Sequence, residues 1–252
     1  MTERSRWARA VASGWVVSAL ALVVAAPAAG QSRDFLFSRP RVTLAVRGGW
    51  AVPTAGSEIF DFTMDELTVD RNDFQAFAVD GEIAVRLDDR LDLAIGVGHS
   101  EREIRSEFRD FVEDNDLPIL QTTRFQRTPI EVGLKGYLRE RGRTVSRFAW
   151  VPYDWAPYLA LGAGAMVYDF DQYGDFVDYE TLDIFTKSFE SDGTVPTAHV
   201  AAGLDFSLHR HLLATGEGRY QWARADMSRD FVDFDPIDLS GFQITVGLAA
   251  RF

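Results

Sequence analysis

The chain has 252 residues, no cysteine and a formal net charge of -12. The missing cysteine excludes a disulfide framework, a thiolate zinc site, a cysteine nucleophile and a lipid-modified cysteine. The acidic balance argues against a nucleic-acid partner, because binding to a phosphate backbone needs a basic surface.

Residues 1–30 have the layout of a cleaved secretory signal peptide. A basic start precedes an apolar run from Val11 to Ala26, and small residues follow as far as Gly30. The alternative is an uncleaved membrane anchor, but the apolar run is short for a span, which needs about 20 residues. We therefore expect an exported protein whose single mature domain comprises residues 31–252.

The rest of the chain alternates apolar with small or polar residues, the period of a half-buried strand. No convincing amphipathic helix interrupts the pattern. An even number of strands of about ten residues predicts an all-β fold, an eight-stranded antiparallel up-and-down transmembrane barrel. The predicted strands are 40–51, 74–87, 91–100, 125–138, 157–168, 196–208, 212–222 and 242–252.

The predicted connections alternate in length. Residues 88–90 and 209–211 form tight turns, and 139–155 is a longer basic connection at the same end. Long polar loops at one end and short turns at the other are typical of transmembrane barrels, whose turns face the periplasm. The four predicted long loops are 52–73, 101–123, 169–195 and 223–238.

The polar face of the strands carries as many basic as acidic residues. A solvated exterior needs no such balance, whereas a narrow lumen does, because each buried charge requires a partner. The alternative is a soluble barrel with this face outside. Small residues such as Gly162 and Gly203 leave room for long side chains, so we expect a plugged lumen. The predicted lumen ionic network is Arg47, Asp80, Glu82, Arg86, Glu131, Lys135, Asp205, Glu217, Arg219 and Arg251, with Arg41 and Asp92 on the same face.

Aromatic residues lie near the ends of the predicted strands, as in the interfacial girdles of membrane barrels. Their alternative role is an ordinary soluble core. The predicted girdle residues are Trp50, Phe77, Tyr220, Trp222, Phe242 and Phe252.

The signal peptide, the strand–loop rhythm and the last strand, "FQITVGLAARF", resemble those of the small eight-stranded outer-membrane β-barrel proteins. That group includes the OmpA transmembrane domain, OmpX, OmpW and the opacity proteins. The resemblance implies a porin-like barrel in a Gram-negative outer membrane, surrounded by lipid and lipopolysaccharide. It also implies that Phe252 is an assembly signal for the barrel-assembly machinery. We expect a monomer.

The third and fourth predicted loops are rich in carboxylates, and a short pattern recurs as "DFVE" at 110–113 and "DFVD" at 175–178 and 230–233. One interpretation is a divalent-cation site, because hard cations take carboxylate oxygens. The spacing does not fit an EF-hand. The other interpretation is a solvated acidic outer surface, with the loop Phe residues packing the loops together or meeting a partner.

The sequence offers weak candidates for catalysis. Lipid A deacylases are also eight-stranded barrels, but His99 and Ser100 are adjacent and therefore point to opposite faces of a strand. His199 fits an ionic network better than a catalytic pair with Asp205. We expect no enzyme, no cofactor and no resident metal.

The sequence favours a structural or surface-interaction role in the outer membrane. The first alternative is a conduit or binding barrel for small or hydrophobic molecules. The second is a lipid A-modifying enzyme.

Overall fold

The computed structural model describes residues 35–112, 117–178, 181 and 183–252. The predicted signal peptide, residues 1–30, lies outside them. In the part of the chain that is described, no helix is long and apolar enough to span a membrane.

Eight long strands form one closed antiparallel barrel in the order β1–β2–β3–β4–β7–β8–β9–β12, and β12 returns to β1. This confirms the predicted all-β, eight-stranded up-and-down barrel. The four remaining strands form two small hairpins outside the ring. The strands are β1 (Val42–Pro53), β2 (Ala76–Arg86), β3 (Leu91–Val112), β4 (Pro118–Tyr137), β5 (Gly142–Ser146), β6 (Ala149–Pro152), β7 (Trp155–Val177), β8 (Ile184–Ser207), β9 (Leu212–Trp222), β10 (Arg224–Ala225), β11 (Ile237–Asp238) and β12 (Gly241–Arg251).

The ring closes where β1 meets β12, in a register that runs from Thr43 opposite Arg251 to Pro53 opposite Gly241. Glycine is required at this seam. A Cβ built on Gly247 would lie 2.0 Å from the carbonyl oxygen of Val46. Any side chain there would push the two closing strands apart.

Four strands are longer than predicted, because β3, β4, β7 and β8 have 20 to 24 residues. The predicted loops 101–123 and 169–195 are therefore mostly strand, and that part of the prediction is wrong. The two-residue alternation of a strand continues through both stretches, but the residues at the outward-facing positions are charged. A crossing strand needs only about 9 to 11 residues, so these hairpins project beyond the barrel as a four-stranded sheet, here called the projecting sheet.

The connections also contain short helical segments that the sequence pattern did not reveal. Helix α1 (Glu58–Glu66) and a 3₁₀ turn (Arg71–Phe74) lie in the β1–β2 connection. Another 3₁₀ turn (Arg229–Phe231) lies in the β9–β12 connection. Helix α1 is a short amphipathic segment that buries Ile59 and Phe60, and its nine residues are too few for a clear sequence period.

The projecting sheet and these connections lie at one end of the barrel, here called the cap end. The opposite end, the turn end, has the tight turns at 88–90 and 209–211. The predicted connection 139–155 contains the hairpin of β5 and β6.

Most of the apolar core lies at the cap end, between the projecting sheet, α1 and the β9–β12 connection. We call this core the apolar cap. Its larger buried members are Ile59, Phe60, Leu67, Val69, Phe74, Ile104, Phe108, Ile119, Phe125, Met166, Tyr168, Phe170, Val177, Phe231, Ile237 and Leu239.

Candidate functional site

The barrel interior below the cap is charged. Arg47 on β1 is 2 % exposed. Its Nη2 lies 2.7 Å from Asp80 Oδ1 and 3.0 Å from Glu82 Oε2, and its Nη1 lies 3.5 Å from Glu217 Oε2. Tyr158 donates a 2.8 Å hydrogen bond to the same Glu217. One guanidinium therefore joins carboxylates from two other strands, β2 and β9.

Lys135 forms a second centre next to the first. Its Nζ lies 3.2 Å from Glu82 Oε1, 3.9 Å from Asp205 Oδ2 and 3.8 Å from the centroid of the Tyr158 ring. Tyr137 donates a 2.8 Å hydrogen bond to Asp205. Glu82 thus connects the arginine centre to the lysine centre.

Arg219 forms a third centre on the side of β4 and β8. Its guanidinium lies 3.0 Å from Glu131 and 2.8 Å from Glu217. Glu131 also lies 2.9 Å from His199 Nδ1 and accepts a 2.8 Å hydrogen bond from Gln221. Eight of the ten predicted network residues, all except Arg86 and Arg251, are joined in this way.

Arg86 and Arg251 lie at the turn end and form no salt bridge with any described residue. Both stack on Trp150 of the β5–β6 hairpin, with guanidinium carbons 5.6 Å and 5.5 Å from the ring centroid. Arg251 also donates to Ser207 Oγ, at 3.1 Å. The buried Trp150 closes the mouth of the barrel, and sequence reasoning missed this role because the hairpin was expected to be a basic connection at the rim.

Asp92 has a partner that the sequence analysis did not identify. Arg141 donates two hydrogen bonds to its carboxylate, at 2.6 Å and 2.7 Å. Arg41, which the sequence pattern places on the polar face of the first predicted strand, is exposed at the end of the barrel. A buried carboxylate needs a cation, so the sequence implied that Asp92 has a basic partner. Arg141 could not be identified as that partner, because it follows the end of β4, where strand alternation no longer predicts the direction of a side chain.

Side chains fill the interior. The cavity beside the Lys135 centre and the one at the turn end measure about 20 Å³ each, which is room for about one water molecule. Glycines make this packing possible, since a Cβ on Gly203 would lie 2.2 Å from the Tyr158 ring and one on Gly162 would lie 2.5 Å from the His199 ring.

The cap end closes the barrel with apolar rather than ionic contacts. The ring of Phe60 on α1 makes edge-to-face contacts with Phe74, Phe125 and Phe170, at centroid distances of 5.0, 5.4 and 5.8 Å. The expectation that the long connections are solvated is therefore wrong for their inner face. Their apolar residues are separated by carboxylates in the sequence, which hid the shared buried face.

The three "DFV" patterns contribute to this packing through their phenylalanines. Phe231 is buried in the cap and lies 5.8 Å from Phe170. Phe111 packs against the cap beside Phe108. Phe176 lies 4.7 Å from Phe189. The recurring pattern is thus a packing pattern, consistent with the expectation that loop phenylalanines pack the loops together.

The outer face of the projecting sheet carries the carboxylates. Asp171 lies opposite Glu190 on β8 and Arg124 on β4, and Asp169 lies opposite Asp192. Burial, followed by the charge of Asp169, raises the pKa of Asp171 to about 7. Among the residues described, no group of three or more Asp, Glu, His or Cys side chains could hold a metal ion. The divalent-cation hypothesis stays a prediction.

His99 and Ser100 lie on opposite faces of β3, as the sequence predicts. Ser100 is buried, whereas His99 is directed outward and its Nδ1 lies 3.0 Å from Thr128 Oγ1. This geometry does not support a nucleophile–base pair.

The exterior of the barrel is apolar around this charged interior. Exposed apolar side chains alternate with the lumen residues on all eight barrel strands, and Trp50 contacts Phe77 edge-to-face at 5.5 Å. Members include Val46, Ile83, Ile95, Val132, Leu161, Val200, Leu204, Leu212, Ile244, Val246 and Leu248. We call this band the apolar belt. A closed barrel that is charged inside and apolar outside is suited to lipid, because no strand edge remains unpaired there. The fold and the belt define a transmembrane β-barrel.

Several solved structures align with most of this chain at low sequence identity. Neisserial surface protein A shares 11 % identity, with a TM-score of 0.46 over 84 % of this chain and 96 % of the other. OprG from Pseudomonas aeruginosa shares 12 % identity, with a TM-score of 0.47 over 86 % and 99 %. The attachment invasion locus protein of Yersinia pestis shares 12 % identity, with a TM-score of 0.40 over 84 % and 99 %. No protein-family model and no curated protein sequence matches the chain.

Proposed function

We propose that the chain is an integral outer-membrane protein with a sealed barrel, whose role is structural or a surface interaction at the cap end. The barrel holds the projecting sheet outside the membrane, and the turn end faces the periplasm. Outer-membrane lipid and lipopolysaccharide surround the apolar belt, and the barrel-assembly machinery inserts it.

The observation that carries this proposal is the closure of the interior at three levels. Trp150 closes the turn end, the Arg47, Lys135 and Arg219 centres fill the middle, and the apolar cap closes the other end. Since a packed lumen leaves no continuous aqueous path, this closure favours a function on the exterior surface.

The projecting sheet offers the largest surface for such a role. Its inner face packs on the apolar cap. Its outer face carries Glu101, Asp169, Glu190 and other charged side chains that stay accessible. A polar, accessible sheet whose inner face is packed suits contact with a partner or with neighbouring surface molecules better than transport.

Conductance and orientation together test the proposal. Planar bilayers containing the refolded protein are expected to show no stable channel. The absence of cysteine allows single-cysteine labelling. A membrane-impermeant maleimide should label Asp110→Cys on β3 in intact cells, but label Ser146→Cys on β5 only after the outer membrane is opened. Stable channels, reversed labelling or a soluble protein without heat-modifiable gel migration would contradict the proposal.

A carrier for hydrophobic molecules is the second candidate, favoured by the apolar interior of the cap. The cavity between α1 and β7, lined by Phe62, Leu67 and Phe176 among others, measures about 50 Å³. That volume holds about one or two waters, so α1 would have to move. Phe62→Ala combined with Phe176→Ala widens this cavity and should raise uptake of a hydrophobic dye if this role is correct. Unchanged uptake would exclude it.

A further inference from the structure

The β5–β6 hairpin at the turn end is held in place by a buried tryptophan and by backbone hydrogen bonds. Trp150 on β6 is 3 % exposed. The backbones of Leu36 and Trp150 exchange two hydrogen bonds of 2.8 Å, and Tyr153 donates to the carbonyl of Arg141 at 2.9 Å. Side chains on the exposed part of this hairpin are therefore held at a defined place at the rim of the barrel.

This hairpin is basic in an acidic protein. Between Arg141 and Tyr153 the chain has three arginines and no Asp or Glu, although the whole chain has a net charge of -12. Arg141 forms a salt bridge with Asp92. Arg143 and Arg147 are exposed, so the hairpin presents positive charge outward.

A further arginine next to the hairpin is stacked on aromatic rings. The guanidinium carbon of Arg139 lies 4.8 Å from the ring centroids of both Tyr153 and Trp155. Stacking uses the flat faces of a guanidinium, whereas its N–H donors lie in the plane and match the geometry of a phosphate. Trp155 is 46 % exposed and Leu138 is 60 % exposed at the last row of the apolar belt. That row is where lipid headgroups begin.

The tip of the hairpin exposes apolar side chains beside the arginines. Val145 is 60 % exposed and Phe148 is 66 % exposed, and the guanidinium of Arg147 lies 5.6 Å from the Phe148 ring centroid. Exposed apolar groups interleaved with cations suit the interface between headgroups and acyl chains better than bulk water.

We infer that the turn end carries a binding site for anionic phospholipid headgroups of the inner leaflet, formed by Arg139, Arg143 and Arg147 with Tyr153 and Trp155. The site rests on the proposed membrane location, since it needs the turn end to face the phospholipid leaflet. Arg139 holds a headgroup phosphate at the rim, and the hairpin arginines attract further negative charge. The site fixes the depth and orientation of the barrel on the periplasmic side.

The test uses spin-labelled lipids added to the barrel in phosphatidylcholine vesicles. The fraction of motionally restricted phosphatidylcholine label reports insertion, and the preference for phosphatidylglycerol label reports the site. The variant is the triple substitution Arg139→Gln, Arg143→Gln and Arg147→Gln. Its matched control is Arg90→Gln, an exposed arginine in the β2–β3 turn at the same end.

The wild type and the control are expected to prefer phosphatidylglycerol. In the triple variant the preference for phosphatidylglycerol over phosphatidylcholine should fall at least about threefold. Each cation at a charged leaflet raises the affinity for anionic lipid by up to about fivefold. Raised salt should weaken the wild-type preference. Arg139→Lys should keep part of it, because the charge remains without the planar donors.

Three results would overturn the inference. An unchanged preference in the triple variant is one, and an equal loss in the Arg90→Gln control is another. The third is the absence of restricted lipid of either kind, which would overturn the membrane location as well. The phosphatidylcholine signal therefore separates failure of the site from failure of the proposed function.

Discussion

Arg47 and Asp80 face each other across β1 and β2, and the 2.7 Å contact between Nη2 and Oδ1 lies inside the barrel. A second arginine–aspartate pair, Arg39 and Asp89, has the same 2.7 Å separation but is about half exposed. The two pairs share chemistry and distance and differ in burial. Comparing the two pairs therefore measures how much a sealed ionic interior contributes to the stability of the barrel.

Arg47→Met should destabilise the barrel by about 3 to 5 kcal/mol, because the buried carboxylates lose their cation. Arg39→Met should change stability by about 0 to 1 kcal/mol, because water solvates the remaining carboxylate. Urea unfolding followed by heat-modifiable gel migration measures both. Equal losses in the two variants would show that the interior is hydrated and not sealed.

The closing seam gives a second prediction. Gly247→Ala places a methyl group 2.0 Å from the Val46 carbonyl oxygen, whereas the nearest atom to a Cβ on Gly216 is 3.8 Å away. We expect Gly247→Ala to lower the folded fraction strongly, because β1 and β12 must separate to admit the methyl group. Gly216→Ala is the control and should fold as the wild type does. Similar folded yields on gels would contradict a tight seam.

The barrel was predictable from sequence because alternation continues through each strand. For a related reason, the sequence could predict that Arg47, Glu82 and Lys135 share the interior of the barrel. A barrel of eight strands puts every second residue into a narrow space, whatever the register. Specific pairs were not predictable, since they depend on strand stagger. The lengths of β3 and β8 were hidden as well, because beyond the membrane a strand has charged residues on its outer face and resembles a loop.

The cap end was hidden for another reason. Phe60 and Phe231 come from connections far apart in sequence, and each stands among carboxylates, so neither stretch shows a periodic apolar face. Only the closed ring brings them to the same space. Trp150 was equally hidden, because a tryptophan in a basic connection does not reveal whether it faces lipid or the mouth of the barrel.

Helix α1 allows a test of the cap with two phenylalanines two residues apart. Phe60 is fully buried, whereas Phe62 is 40 % exposed. Phe60→Ala should cost about 3 to 5 kcal/mol of local stability, because it leaves a cavity among aromatic rings. Phe62→Ala should cost much less. Limited proteolysis and hydrogen exchange of α1 should show faster opening in Phe60→Ala only, and equal protection in both variants would contradict a packed cap.

Phe252 stays a predicted assembly signal, and the structure suggests a sharper variant than deletion. Its backbone donates to the Val42 carbonyl at 2.8 Å, while its side chain is 60 % exposed. Phe252→Ala therefore keeps the seam and removes only the ring. We expect slower assembly by the barrel-assembly machinery with little change in unfolding. Phe242→Ala, at the other end of β12, is the control. Equal assembly of Phe252→Ala and wild type, or an equal defect in the control, would refute the signal.

Asp171 predicts how stability depends on pH. Its pKa is about 7 in the folded barrel against 3.8 as the ordinary value, and Asp169, Glu190 and Arg124 face it. The folded state therefore holds an extra proton between about pH 4 and 7, so stability should fall as pH rises through that window. Asp171→Asn should flatten the dependence, and exposed Asp110→Asn should leave it unchanged. Urea midpoints at pH 5, 6, 7 and 8 measure the slope. A slope as steep in Asp171→Asn as in the wild type would assign the pH dependence to other groups.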